Sequence, residues 1–323
     1  MFSLGHLSDL HATPVIVENP LHLLNKRFFG WLSWRIRRRH FHRTSVVRAL
    51  MDDLRHAPID HLVVTGDLTN LSLASEFGAA REQLKRFGDA RDVSIVPGNH
   101  DAYVRVAQAA SWNLWADYFE SDDCEPGDRE SDDRESDDRE TAVESSDPRD
   151  RFPTLRVRGP LAVVGLCSAL PTRLFDATGT LGDAQLERLE RMLHGLAKSD
   201  LCRVISIHHP ITEGATHPRR WLRDAESLRG VIGRAGCDLV VHGHNHRTLF
   251  AAIDGPDGPV PVVGVRSASD IGQRPDRRAQ YHVYEIERND ESGGPRFRIA
   301  LRIRGYDPDS GRFRAEGERE LAP

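Results

Sequence analysis

Five short clusters of Asp, Asn and His, spread along the first three-quarters of the chain, have the residue types of a metal site. They read SDLH at Ser8–His11, GDLTN at Gly66–Asn70, PGNHD at Pro97–Asp101, IHHP at Ile207–Pro210 and HGHNH at His242–His246. Imidazole, carboxylate and amide oxygens without a thiolate suit borderline or hard divalent ions such as Mn, Fe, Zn, Ni or Co. The seven side chains Asp9, His11, Asp67, Asn99, His208, His244 and His246 are too many for one tetrahedral ion. They fit two ions that share a bridging carboxylate. Such a pair, roughly 3.5–4 Å apart, clamps a phosphoryl group and lowers the pKa of a bridging water to make a nucleophile.

The elements that must position these ligands are legible in the residues before them. FSLGHL precedes Asp9, HLVVTG precedes Asp67, VSIVPG precedes Asn99, CRVISI precedes His208 and CDLVVHG precedes His244. These runs are rich in Val, Ile and Leu and end in turn residues, as strands buried on both faces do. Helical patterns at Thr44–His56, Ser75–Phe87 and Asp183–Leu196 lie between them. The alternation predicts an α/β layered domain whose strand ends open on one rim, the usual place for catalytic groups in such a fold.

The order D-x-H, GD-x-x-N, GNH[DE], H and GHxH resembles that of the calcineurin-like metallophosphoesterase family over roughly residues 1–250. The resemblance implies a layered β-sandwich flanked by helices, with the active site at strand C-terminal ends. It also implies two divalent ions (Mn, Fe, Zn or similar). Asp9, His11 and His246 would hold the first ion, Asn99, His208 and His244 the second, and Asp67 would bridge them. His100 and Asp101 would be catalytic: His100 touches the phosphate and stabilises or protonates the leaving oxygen, and Asp101 orients it. Asn70 stands in the slot after GD-x-x, so the tyrosine ligand of purple acid phosphatases is missing. Leu68–Thr69–Asn70 likewise replaces the GD-x-V-D-R-G block of serine/threonine protein phosphatases. Asn70 and His209 are candidate substrate contacts. His209, like His6, His61 and His242, also reads as a hydrogen-bonded structural histidine.

The activity these residues imply is hydrolysis of a phosphoester bond, with a phosphodiester or pyrophosphate in a small molecule favoured. A nucleotide-linked lipid belongs to that class. A 3',5'-cyclic nucleotide phosphodiesterase is the alternative, and no nucleic-acid partner is expected because no DNA-capping domain is visible. A non-catalytic scaffold of the same fold would be expected to lose ligands, and none is missing.

Composition and charge add the setting. The chain has 323 residues, 39% of them hydrophobic, which suffices for one large core. Cys124, Cys167, Cys202 and Cys237 show no C-x-x-C spacing and read as buried free thiols rather than disulfides. Met1 runs straight into the first predicted strand, so no cleavable signal is expected and the cytoplasm is the expected compartment.

The net charge of −5 conceals two opposed segments. Residues 117–150 hold sixteen acidic and four basic residues, and RESDD repeats in tandem at Arg129–Asp133 and Arg134–Asp138. Such a composition predicts a disordered surface insert at about 120–150. Leu21–Arg43 carries seven Lys or Arg and no acid. On a helical wheel Leu21, Leu24, Phe28, Phe29, Trp31, Leu32 and Ile36 share one side. The segment is expected to overhang the site, either as a cap whose apolar face packs on the domain or as an interfacial element meeting anionic membrane at the inner face. After residue 250, PVVGVRSAS, YHVYEIER, FRIALRIRGYD and RFRAEGE alternate apolar and charged residues. They predict antiparallel strands that extend the same domain over 251–323.

Overall fold

The computed structural model describes residues 1–122, 147–289 and 295–321. The strands are β1 Phe2–Leu7, β2 His61–Val64, β3 Val93–Ile95, β4 Thr154–Arg158, β5 Leu161–Gly165, β6 Cys202–Ile207, β7 Leu239–His242, β8 Leu249–Gly255, β9 Gly258–Gly264, β10 Gln280–Arg288, β11 Phe297–Asp307 and β12 Arg312–Glu320. The α-helices are α1 Arg27–Ser33, α2 Arg39–Phe41, α3 Thr44–Leu54, α4 Ala74–Phe87, α5 Ala116–Phe119, α6 Asp183–Leu196 and α7 Ala225–Ala235. Two six-stranded sheets result, in the orders β12-β11-β10-β1-β2-β3 and β4-β5-β6-β7-β9-β8.

Alternation along the central strands explains the layers. Val63 faces the space between the sheets, while Leu62 and Val64 face helices α3 and α4. In the second sheet Val163 and Val204 point inward, and Val164, Ile205 and Ile207 meet α6 and α7. The helices answer with one apolar face each, Val46, Val47 and Leu50 on α3 and Leu186, Leu189 and Leu193 on α6. The result is a β-sandwich flanked by helices, as the sequence predicts. Strands β1, β2 and β3 pair in parallel, as do β5, β6, β7 and β9, so their C-terminal ends share one rim.

The C-terminal strands complete both sheets. β10 pairs antiparallel with β1, and β9 lies parallel beside β7. The hairpin partner of β9, strand β8, went unread in the sequence.

Most of the acidic insert expected at about 120–150, with Cys124, lies outside the described residues. Its first described flank is anchored, since Asp122 accepts from the Val157 amide at 2.7 Å, and at the other end Asp147 pairs locally with Arg149 at 2.6 Å. Cys167, Cys202 and Cys237 are buried free thiols, as expected.

The basic aromatic segment departs from the helical-wheel reading. It is a 3₁₀ turn at Pro20–Leu23, then α1, a π-helical turn at Trp34–Arg38, and α2. Its apolar row faces outward, with Leu21 65%, Leu24 79% and Ile36 62% exposed. Arg27 and Gly30 are buried instead. Arg27 donates from Nε to the Leu71 carbonyl at 2.8 Å and from Nη2 to that of Ser72. Gly30 allows the close approach, because a Cβ there would stand 2.6 Å from Leu71 Cδ2 and 2.7 Å from the Tyr103 hydroxyl. Leu21, Leu24 and Ile36 thus do not pack on the domain as the cap expectation had them, whereas Trp31 is half-buried.

Candidate metal centre

Every expected ligand follows the C-terminal end of a parallel strand: Asp9 and His11 after β1, Asp67 after β2, Asn99 after β3, His208 after β6, His244 and His246 after β7. The backbone is bent hard to aim them. Asp9, His11, Asp67, His244 and His246 have φ of 53, 44, 56, 67 and 49°. The left-handed region costs a non-glycine residue on the order of 1–2 kcal/mol, and such strain concentrates at functional sites. Main-chain bonds from Asp9 to the Gly66 carbonyl (3.0 Å) and from His11 to that of Asp67 (3.1 Å) hold these turns. Glycine makes the crowding tolerable, since a Cβ on Gly243 would stand 2.5 Å from Asp9 Oδ2.

The donor atoms converge in three groups, Asp9–His11–His246, His11–Asp67–His100 and Asp9–Asp67–His208, each within 4.8 Å. Asp9 Oδ1 lies 3.2 Å from His246 Nε2. Asp67 Oδ2 stands 3.5 Å from both His11 Nε2 and His208 Nε2, between the two expected sets. His208 Nε2 also faces Asn99 Oδ1 and His244 Nδ1, each at 3.1 Å.

These residues fit metal ions. Asp9 Oδ1 and His244 Nε2 are buried without a hydrogen-bond partner, a costly arrangement in protein alone. The far nitrogens of two histidines are tied: His11 Nδ1 meets the Thr69 carbonyl at 3.1 Å and His208 Nδ1 that of Thr65 at 2.7 Å. Each ring is thereby oriented with Nε2 turned toward the other expected ligands. Burial, then the histidines around them, holds His11 and His244 well below the usual imidazole range, so they stand neutral as ligation requires. Burial and the nearby Asp9 and Asp101 carboxylates push Asp67 well above the usual carboxylate range. Packed negative charge of this kind calls for a cation between the groups.

His100 stands at the rim of the same group, half-buried. Its amide donates to Asp67 Oδ1 at 2.7 Å, and its Nδ1 meets the Asn70 carbonyl at 2.7 Å, leaving Nε2 toward the site. Asp101 does not orient this ring, contrary to the sequence expectation. Its carboxylate is buried and accepts from the amides of Asp67 (2.8 Å), Thr69 (2.9 Å) and Gly98 (2.9 Å), so it clamps two ligand loops together. Adjacent residues point opposite ways, and Asp101 points inward.

Of the two candidate substrate contacts, His209 is fully engaged by protein, whereas Asn70 uses its Nδ2 and keeps a buried Oδ1 without a partner. Asn70 Nδ2 donates to the His11 carbonyl at 3.1 Å and bridges to Thr13. His209 has both ring nitrogens engaged, by Ser168 Oγ at 2.8 Å and the Ala177 carbonyl at 3.1 Å. His6, His61 and His242 are hydrogen-bonded and buried, in their structural reading.

Three residues at the site escaped the sequence reading. Arg38 Nη1 lies 3.2 Å from His100 Nε2 and 3.3 Å from Nδ1. One turn on, His42 donates its amide to the Arg38 carbonyl at 3.0 Å and packs its ring 4.9 Å from that of His11 and 5.6 Å from that of His246. Buried Glu76 accepts from the amides of Asn70 (2.8 Å) and Leu71 (2.9 Å) and fixes the GDLTN loop. Nothing in the run RIRRR marks one arginine above its neighbours.

Comparisons with known proteins bear on the family and the fold. The family model described as calcineurin-like phosphoesterase matches residues 2–248. A dimetal phosphatase from Danio rerio has a similar structure, with a TM-score of 0.61 at 13% identity, covering 97% of this chain and 98% of that one. Vacuolar protein sorting 29 from Cryptosporidium parvum aligns over 100% and 98% at 13% identity, with a TM-score of only 0.42. No curated protein sequence matches. Likeness at such identity shows the fold alone, whereas the family match covers most of the chain and carries the assignment: the chain belongs to the calcineurin-like phosphoesterase family.

Proposed function

We propose that the chain is a two-metal hydrolase of a phosphodiester or pyrophosphate bond in a small molecule. The observation that carries this is the placement of Asp67 Oδ2 at 3.5 Å from both His11 and His208, one from each expected ligand set. When bound, two divalent ions supply Lewis acidity toward the phosphoryl oxygens and acidify a water. The chain's own residues do the rest. His11 and His208 present Nε2 because their Nδ1 atoms are tied to carbonyls. His100 keeps its Nδ1 on the Asn70 carbonyl, which aims Nε2 at the leaving oxygen. An arriving anion favours the protonated ring there, so Nε2 can deliver a proton.

An acylated substrate met at a membrane surface is the finer reading. It is supported by the outward row of Leu21, Leu24, Phe28, Phe29, Leu32 and Ile36, on the segment that also carries Arg38 to the site. Phe175 extends this row, 6.1 Å from the Phe29 ring. Among the described residues no helix is long and apolar enough to cross a membrane. Contact would therefore be peripheral, at an anionic surface.

Metal analysis of the purified protein, with turnover of bis-p-nitrophenyl phosphate, tests the main proposal. A screen over cyclic nucleotides, nucleotide-linked lipids and phosphomonoesters with Mn then ranks substrates. Metal-loaded protein inert toward all of them would sink it.

A further inference from the structure

Arg38 is out of keeping with the other cations of its segment. Arg35, Arg37 and Arg39 are exposed, Lys26 donates to the Thr172 carbonyl at 2.8 Å, and Arg27 is bonded to two carbonyls. Of the four arginines at 35, 37, 38 and 39, only Arg38 turns inward, from the last position of the π-helical turn Trp34–Arg38. Such turns are rare and often lie at functional sites, because the wider winding re-aims a side chain.

Its surroundings do not satisfy it. The Arg38 Nε is buried with no hydrogen-bond partner, and Nη2 has only a long contact of 3.4 Å to the Gly30 carbonyl. Among the described residues no carboxylate stands within ion-pair distance of it. Nη1 shares its contact between the two nitrogens of His100, at 3.2 and 3.3 Å, a ring that brings no negative charge to it. A guanidinium taken out of water costs several kcal/mol unless an anion meets it. Among the described residues Asp67 and Glu76 act on it only from beyond ion-pair distance. The anchor of the segment is nevertheless firm, through Arg27 and the close seat at Gly30. The ring of Tyr103, which stacks on His100 at 5.5 Å, lies under Lys26 and walls the same corner.

We infer that Arg38 is a substrate-binding residue whose guanidinium grips the non-bridging oxygens of the phosphoryl group at the metal centre, on the His100 side. A planar fork of donors matches two oxygens of one phosphate, which an ammonium cannot do. The inference rests on the two-metal reading of the site and names how the chain itself holds the anion. His42, one turn further on, lies against His11 and His246, so one short segment borders the site from His100 to the first ligand set.

Calorimetric titration of inorganic phosphate into Mn-loaded protein, with metal content measured alongside, tests it. In Arg38→Met, phosphate affinity should fall about tenfold or more, the scale of one charge-assisted hydrogen bond, with metal content unchanged. The kcat/KM for bis-p-nitrophenyl phosphate should fall by at least as much. Arg38→Gln, which keeps an amide head in the same space, gives the same readout should the Met variant fail to fold. Parent-level phosphate affinity in either folded variant overturns the inference. So does a loss of metal that accounts for the loss of phosphate, since Arg38 would then merely hold the loops. Failure of the hydrolase reading looks different: the parent itself would take up no metal pair or turn over no phosphoester.

Discussion

The main-chain amide of His244 donates to Asp9 Oδ2 at 2.9 Å, so a residue expected to hold one ion fixes the carboxylate expected to hold the other. The two sets are one hydrogen-bonded unit before any cation arrives. Single replacements should therefore sort by whether they strip a ligand, a proton donor or the frame.

Asp67→Ala strips the shared ligand. The protein should lose at least one metal, and turnover should fall on the order of 10³ or more. Elemental analysis beside a rate measurement decides the matter, and a variant with two metals and near-parent turnover would refute the bridging role.

His100→Ala should leave metal content near that of the parent while kcat falls by roughly 10²–10⁴. The deficit should shrink for p-nitrophenyl esters, whose leaving group needs little protonation. Equal deficits for p-nitrophenyl and alkyl esters would remove the acid role.

Asp101→Ala should act on the frame. It leaves the amides of Asp67, Thr69 and Gly98 buried without their acceptor. At about 1–3 kcal/mol for each unmet donor, a loss of roughly 3 kcal/mol or more is expected. Urea unfolding of the metal-free variant reads this directly. A stability unchanged to within about 0.5 kcal/mol, with only kcat reduced, would restore the catalytic role expected from the sequence.

Acid should destabilise the fold through histidines remote from the metals. His282 is fully buried between Gln280 and Tyr284, and burial, then Arg266, lowers its pKa to about 3. As pH falls through about 6.5 the unfolded chain takes a proton there and the folded chain does not. Protons then bind preferentially to the unfolded state, so the stability present above pH 6.5 is lost progressively toward pH 3. At pH 5 this one site should cost about 2 kcal/mol relative to pH 7. His282→Gln should flatten the slope of stability against pH, and an unchanged slope would count against it.

The outward apolar row decides the lipid question. Phe28→Ser with Phe29→Ser, or Arg35, Arg37 and Arg39 changed to Glu, should cut binding to anionic vesicles, at about 1 kcal/mol per charge near the surface. Turnover of an acylated nucleotide-sugar substrate should fall about tenfold or more, while bis-p-nitrophenyl phosphate hydrolysis stays near the parent's. A parent that does not bind such vesicles at low salt would leave the row without that role.

The gathering of the expected ligands on one rim was legible because three signals coincide at each position: residue type, spacing, and an apolar run that must be a buried strand. The rest was hidden for physical reasons. A helical wheel separates Leu24 and Ile36 from the cations but cannot say which side faces the domain, and here a glycine and an arginine took the inner face. Arg38 was indistinct among its neighbours because the wider winding of one π turn, invisible in spacing, selects it. Asp101 was misread through its adjacency to His100, since chain neighbours in a tight loop diverge. Glu76 binds a loop from the first turn of α4, a contact that only the fold creates.

The two-sheet architecture has a mechanical consequence. Asp9, Asp67 and Asn99 hang from one sheet, and His208, His244 and His246 from the other. Cations seated among them would act as rivets through two plates, and Val63, Val163, Val204 and their neighbours fill the space between the plates. A metal centre there would double as a gauge of sandwich thickness: a methylene added or removed in that buried seam would alter the gap that the ions had to span.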